Sequence, residues 1–180
     1  VTLSSTDKDS VFPTAISQAF AYQGTYVYHL SLFYGRGYWV KFTGDQERSF
    51  SGVSIERDTL DLLSDWNMIG SISNPVLVSS ISEIPSGIVQ TNYFGYDNGY
   101  DIADTIQPGK GYWVKVSQAG KLALSSSAFA GLAKQVNPLE GLNKIEILDA
   151  NGKSSTMYFG SKPSEEFTTS AYELPPVPPS

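Results

Sequence analysis

The chain of 180 residues contains no cysteine, which excludes a disulfide framework, a Cys-ligated zinc site and a thiol nucleophile. It has a single histidine, His29, so a histidine-rich metal centre is excluded as well. Charged residues are only 17 %, against roughly 25 % in an average soluble domain. Twelve Lys and Arg against 18 Asp and Glu leave a net charge of −6. That balance repels phosphate backbones, so nucleic acid is not an expected partner. No apolar run reaches the roughly 18 residues of a spanning helix, so no membrane insertion is expected. The chain begins at Val1 without a Met-led leader, which reads as a processed or excised piece.

What is abundant is aromatic. Eleven Tyr, nine Phe and three Trp make up 13 % of the chain, and they are organised by an internal repeat. Gly35-Arg36-Gly37-Tyr38-Trp39-Val40-Lys41-Phe42 returns 74 positions later as Gly109-Lys110-Gly111-Tyr112-Trp113-Val114-Lys115-Val116. Six of those eight positions are identical. The same offset pairs Phe20 with Phe94, Tyr22 with Tyr96 and Tyr26 with Tyr100, while Phe12-Pro13-Thr14-Ala15-Ile16 pairs with Ile84-Pro85-Ser86-Gly87-Ile88 at an offset of 72. Short aromatic and β-branched runs punctuated by Gly, Pro, Asn and Asp predict an antiparallel all-β fold. Within Tyr38–Phe42 and Tyr112–Val116, strand alternation puts Trp and Lys on one face and Tyr, Val and Phe or Val on the other.

The expected architecture is two tandem, pseudo-symmetric, sandwich-like β units, residues 1–57 and 58–127. A linker (128–143), a β-hairpin (144–160) and a Pro-rich strap or linker (161–180) follow. Trp66-Asn67-Met68-Ile69-Gly70 opens the second unit as a strand, and its first-unit counterpart falls before Val1. The chain is therefore expected to start inside repeat one, with Val1-Thr2-Leu3 as the tail of the opening strand. Thr59-Leu60-Asp61-Leu62-Leu63 predicts one helical turn capped by Asp58, and Ala128–Val136 a helical stretch ending before Pro138. Asp149-Ala150-Asn151-Gly152 predicts the hairpin turn. Leu174-Pro175-Pro176-Val177-Pro178-Pro179 cannot join a sheet ladder and predicts an extended polyproline segment.

These motifs resemble modules near the C-termini of large secreted proteins. The resemblance rests on Trp66–Gly70, on Phe94-Gly95-Tyr96-Asp97-Asn98-Gly99-Tyr100 and on Pro108–Val116, with support from Ile147–Gly152, Thr156–Gly160 and Tyr172–Pro176. Such modules occur in bacteria of the Bacteroidetes, Ignavibacteria and Chlorobi group and resemble parts of type IX secretion substrates. The resemblance covers nearly all of the chain and implies an accessory β-module at an extracellular or cell-surface location. It transfers no catalytic residues. The chain departs from the pattern in lacking the first unit's Trp strand and any sorting domain after Ser180.

Candidate chemistry is weak. His29 reads as a strand residue, and no Gly-x-Ser-x-Gly elbow accompanies it. Gly152-Lys153-Ser154 lacks the first glycine of a phosphate loop. Gly35-x-Gly37 and Gly109-x-Gly111 precede strands rather than helices and read as turns. Asp97, Asn98, Asp101 and Asp104 could offer oxygens to Ca²⁺, but the spacing fits no EF-hand and reads as an Asx turn. The binding candidates are Trp39, Lys41, Trp113, Lys115, Tyr96 and Tyr100. Exposed, they would form platforms for sugar rings or protein; buried, they fill a sheet-on-sheet core, and burial is the expectation. The reading is a non-enzymatic structural, display or adhesion module without a cofactor. Its expected partners are other chains or domains of its parent protein, including self-assembly into a filament by strand addition. A carbohydrate-binding module acting on polysaccharide is the alternative.

Overall fold

The computed structural model describes residues 1–126, 142–150, 152, 154–160 and 173–179. The fold is all-β. The first half contains β1 (Ala19–Tyr22), β2 (Tyr26–His29), β3 (Arg57–Leu62), β4 (Asp65–Ile69), β5 (Val76–Leu77) and β6 (Ser82–Ile84). The second contains β7 (Tyr93–Tyr96), β8 (Tyr100–Ala103), β9 (Thr105–Ile106), β10 (Tyr112–Val116), β11 (Gly120–Ser125), β12 (Asn143–Leu148) and β13 (Ser154–Phe159). Among the described residues the helical pieces are one α-turn, Lys8–Val11, and a 3₁₀ turn, Val78–Ser80. The α-turn is capped by Asp7, whose carboxylate accepts the Ser10 N–H at 2.8 Å.

The second unit is a closed sandwich. One sheet runs β4-β10-β7-β8 and the other β3-β11-β6. Strand β10 shows why it closes: Tyr112, Val114 and Val116 point into a core shared with Leu60, Leu122 and Leu124 of the opposite sheet. Trp113, on the other face of β10, joins Trp66, Met68 and Phe94 in a second cluster. The alternation expected for the repeated motif therefore operates here, with both faces buried.

The first unit repeats this geometry and then stops short. Pairs Ala19↔His29 and Tyr22↔Tyr26 in the β1–β2 hairpin match Tyr93↔Ala103 and Tyr96↔Tyr100 in β7–β8, each at the 74-residue offset. The Ile16 N–H meets the Lys41 carbonyl at 2.9 Å, as Gln90 meets Lys115 at 2.9 Å. The offset of 74 thus extends through Ile16, and the change to 72 lies nearer the N-terminus than the alignment of Ile16 with Ile88 implied. Trp39 exchanges both backbone hydrogen bonds with Phe20, the counterpart of Trp113↔Phe94.

Three expectations are corrected. Thr59–Leu63 is not a helical turn: it belongs mostly to β3, which pairs along its whole length with β11 and sends Leu60 and Leu62 inward. Tyr38–Phe42 is not a full strand but extended chain with a single bridge among the described residues. Strand β10 is held between β4 and β7, whereas the described residues pair the first copy on one side only. Finally, Thr2 pairs with Val53, at 2.8 Å from N–H to carbonyl, so Val1–Leu3 does not extend the sheet beside Trp39. The hairpin β12–β13 is antiparallel in continuous register. The expected helix at 128–136 lies outside the described residues.

Candidate functional site

The two units meet through their tryptophan faces. Trp39 of the first packs edge-to-face on Tyr96 of the second at 4.8 Å, and Trp113 of the second packs on Tyr22 of the first at 5.0 Å. These contacts are reciprocal under the repeat, as a two-fold axis requires. Within each unit, Tyr22–Tyr26 and Tyr96–Tyr100 stand at 5.3 and 5.2 Å with the same 72° between ring planes. The result is a pseudo-symmetric aromatic seam. Edge-to-face geometry sets the positive rim of one ring against the negative face of the next.

The repeat explains how the seam is positioned. Gly35 and Gly109 adopt φ of +73° and +75°, a conformation that a side chain disfavours. Each turn thereby reverses the chain so that a Trp follows four residues later. Gly37 lies against strand β4, where an added Cβ would come within 2.8 Å of the Ile69 carbonyl oxygen. Strand β4 consequently joins the units: Ile69 pairs with Tyr112 on one edge and bridges Arg36 on the other.

The symmetry is broken in two places. First, Trp113 is 2 % exposed and backed by Trp66 at 6.1 Å, whereas Trp39 is only half-buried; both line a groove of about 400 Å³ with Tyr96, Asp97, Asp101 and Lys110. Second, the proline-rich segment lies across one side of the seam. Tyr26 Oη donates to the Val177 carbonyl at 2.8 Å, and its repeat-mate Tyr100 donates to the Pro176 carbonyl. Pro175 is buried. Lys115 forms an ion pair with Glu173 and sits 3.5 Å from Asp65. Its repeat-mate Lys41 is exposed and makes no ion pair with a described residue.

The titration of these groups follows their surroundings. Burial pushes the Tyr26 phenol up to about 12. Tyr100 is pushed up further by burial first, then by the neighbouring phenols of Tyr26 and Tyr96. Lys115 is raised mainly by its hydrogen bond to Glu173, against an opposing desolvation. Both phenols therefore stay protonated as donors at neutral pH. The buried indole Nε1 atoms of Trp39 and Trp113 face the Tyr26 and Tyr100 hydroxyls and partly offset these rises.

A second feature lies on the opposite face of the first unit. Tyr38, Val40 and Phe42 line a groove of about 490 Å³ together with Phe12, Phe50 and Ile72. The counterparts of the first three in the second unit are covered by the β3-β11-β6 sheet. Neither Tyr38 nor Val40 makes a backbone hydrogen bond to a described residue.

Of the six candidates, Trp39, Tyr96, Tyr100 and Trp113 meet in the seam, Lys115 reaches its edge, and Lys41 stays apart. Tyr22 and Tyr26 carry equal weight in the geometry, and the repeat offset is the signal that identifies them. Asp97, Asn98, Asp101 and Asp104 fall in and around the β7–β8 turn, where Asn98 takes φ +55°. Among the described residues no three His, Cys, Asp or Glu are grouped to hold a metal. His29, the last residue of β2, packs edge-on to Tyr38 and Phe33. The chain matches no protein-family model, no curated protein and no solved structure.

Proposed function

We propose that this chain is a non-catalytic structural and display module of a secreted or cell-surface bacterial protein, and that it assembles by accepting an extended strand at the open edge of its first unit. One observation carries this reading. The motif closed on both edges and both faces in the second unit is left, in the first, with backbone at Tyr38 and Val40 that no described residue pairs and an apolar groove beneath. Unpaired strand edges are templates for strand addition. A segment with the chemistry of Asp65–Ile69, which fills the corresponding place beside β10, fits this edge. Two carboxylates with altered titration, Asp7 and Glu56, are exposed and lowered by hydrogen bonds, opposite in sense to a general acid held protonated. The resemblance to modules of secreted proteins supports the location.

The test adds a synthetic peptide copying Asp65–Ile72 to the full chain and follows amide exchange at Tyr38 and Val40. Protection at both, abolished by Val40→Pro, supports strand addition, because proline removes the N–H that the ladder needs. No protection at millimolar peptide rejects it. Concentration-dependent association of the chain alone, lost in the same variant, would identify a second copy as the natural donor.

One feature favours polysaccharide binding as a second reading: the half-buried Trp39 beside Tyr96, Asp97 and Asp101 in an open groove. Retention of a polysaccharide that Trp39→Ala abolishes and Val40→Pro leaves intact would select it.

A further inference from the structure

The polar groups of the aromatic seam that face the proline-rich segment are donors. Tyr26 and Tyr100 present hydroxyl donors, the Trp39 and Trp113 indole N–H groups lie buried beside those hydroxyls, and Lys115 adds a cation at the edge. The segment lying on them has the opposite character. Four of the six residues Leu174–Pro179 are proline, so they bring carbonyl acceptors and no N–H. Leu174, Pro175, Val177 and Pro178 each precede a proline and are confined to extended conformations. Such a sequence favours the polyproline conformation, which makes no hydrogen bonds within itself, leaves its carbonyls free for a partner and has low conformational entropy to lose. Aromatic grooves with hydroxyl donors recognise this conformation in general.

We propose that the seam between the two units is a recognition site for a proline-rich segment, that Glu173–Pro179 is its resident ligand, and that the same segment of a second copy binds there when the resident one is withdrawn. The contacts divide the work. Pro175 anchors by burial, consecutive carbonyls of Pro176 and Val177 meet the two symmetry-related phenols, and the Lys115–Glu173 pair sets the direction of the segment. Lys41, the counterpart of Lys115, is where a reversed segment would place its acid. Val177, 79 % exposed, spaces the two Pro-Pro pairs and contributes little side-chain contact. Strand addition at Tyr38–Phe42 uses a different surface, so either proposal can fail without the other.

The test uses two versions of the 180-residue chain: the natural one, and one carrying Pro175→Gly, Pro176→Gly, Pro178→Gly and Pro179→Gly. Each is titrated with a peptide copying residues 173–179 while tryptophan fluorescence is read. The glycine chain should bind saturably. The natural chain should bind at least tenfold more weakly, roughly the disadvantage expected against a tethered competitor. Adding Tyr26→Phe and Tyr100→Phe to the glycine chain should weaken binding by tenfold or more, about the effect of two lost hydrogen bonds. No binding at millimolar peptide, equal binding without the hydroxyls, or equal binding of a peptide with glycine in place of proline overturns the proposal. Should the glycine chain fail to fold, a fluorophore on Ser180→Cys in the otherwise natural chain gives the answer. Its anisotropy should fall on adding excess peptide, and an unchanged value overturns the proposal.

Discussion

The two units carry the same turn, the same strand motif and the same tyrosine pair, yet one is finished and the other is open. In the second, β10 is paired by β4 and β7 and covered by the β3-β11-β6 sheet. In the first, the matching run has, among the described residues, a single bridge to Phe20 and borders an apolar groove. Exposed apolar side chains lean the same way: Ile16, Tyr28, Leu30, Phe33 and Val53 are each more than half exposed in the first unit, against Leu63 and Ile84 in the second. A duplicated sequence therefore does not duplicate its environment. The local turn and pairing are reproduced, but closure depends on which other surfaces arrive.

Substitutions at equivalent positions measure that difference. The largest effect is expected at the tryptophans. Trp113→Ala should destabilise by about 3–5 kcal/mol, the usual cost of emptying a large buried site, while Trp39→Ala, half-buried beside a groove, should cost roughly half as much. Denaturant unfolding of both variants checks this, and equal losses would break the comparison. Next comes the valine pair. Val114→Ala removes fully buried methyl groups and should cost about 1.5–2 kcal/mol, whereas Val40→Ala in the open groove should cost about 0.5 kcal/mol or less. If Val40→Ala approached the Val114→Ala value, the first unit would be better packed than its exposed edge indicates.

The smallest expected effect is on the strap. Tyr26 is raised from 10.0 to about 12 in the folded chain, so its contribution is complete below pH 10 and is lost as pH rises toward 12. Lys115, raised by Glu173, acts in the same direction: the pair persists below the ordinary lysine value of 10.5 and dissolves as pH climbs through the raised one. Stability should therefore decline between about pH 10 and 12. A chain with Tyr26→Phe and Tyr100→Phe should show a shallower decline in thermal melts over that window. An identical slope would show that the two phenols do not titrate with raised values in the folded chain.

The fold was legible wherever physics acts over a few residues. Gly-basic-Gly followed by Tyr-Trp-Val-Lys specifies a tight reversal and then alternation, and the Asp149–Gly152 turn flanked by β-formers specifies a hairpin. β3 is ambiguous in the sequence because its leucines support two periods. Leu60 and Leu63 are spaced like neighbours on a helix, Leu60 and Leu62 like neighbours on one face of a strand, and only the ladder with β11 resolves them. Part of the site could be read as well. The repeat singled out Trp39, Trp113, Tyr96 and Tyr100, but nothing within either unit indicates that Trp39 meets Tyr96 rather than a tyrosine of its own unit. The role of Tyr26 depends on a carbonyl 151 positions away, and a proline segment carries no periodicity that names its receptor.

The all-β character, the doubling and its offset, and the extended form of Leu174–Pro179 are written locally, because turn sterics, side-chain alternation and proline's fixed φ act between near neighbours. Long-range packing sets the rest: among the described residues one copy is paired on both edges and the other on one, indoles from different copies stack on each other's tyrosines, and the proline segment settles on Tyr26 and Tyr100. Those outcomes turn on which surfaces exclude water together, and that is settled by contacts far apart along the chain.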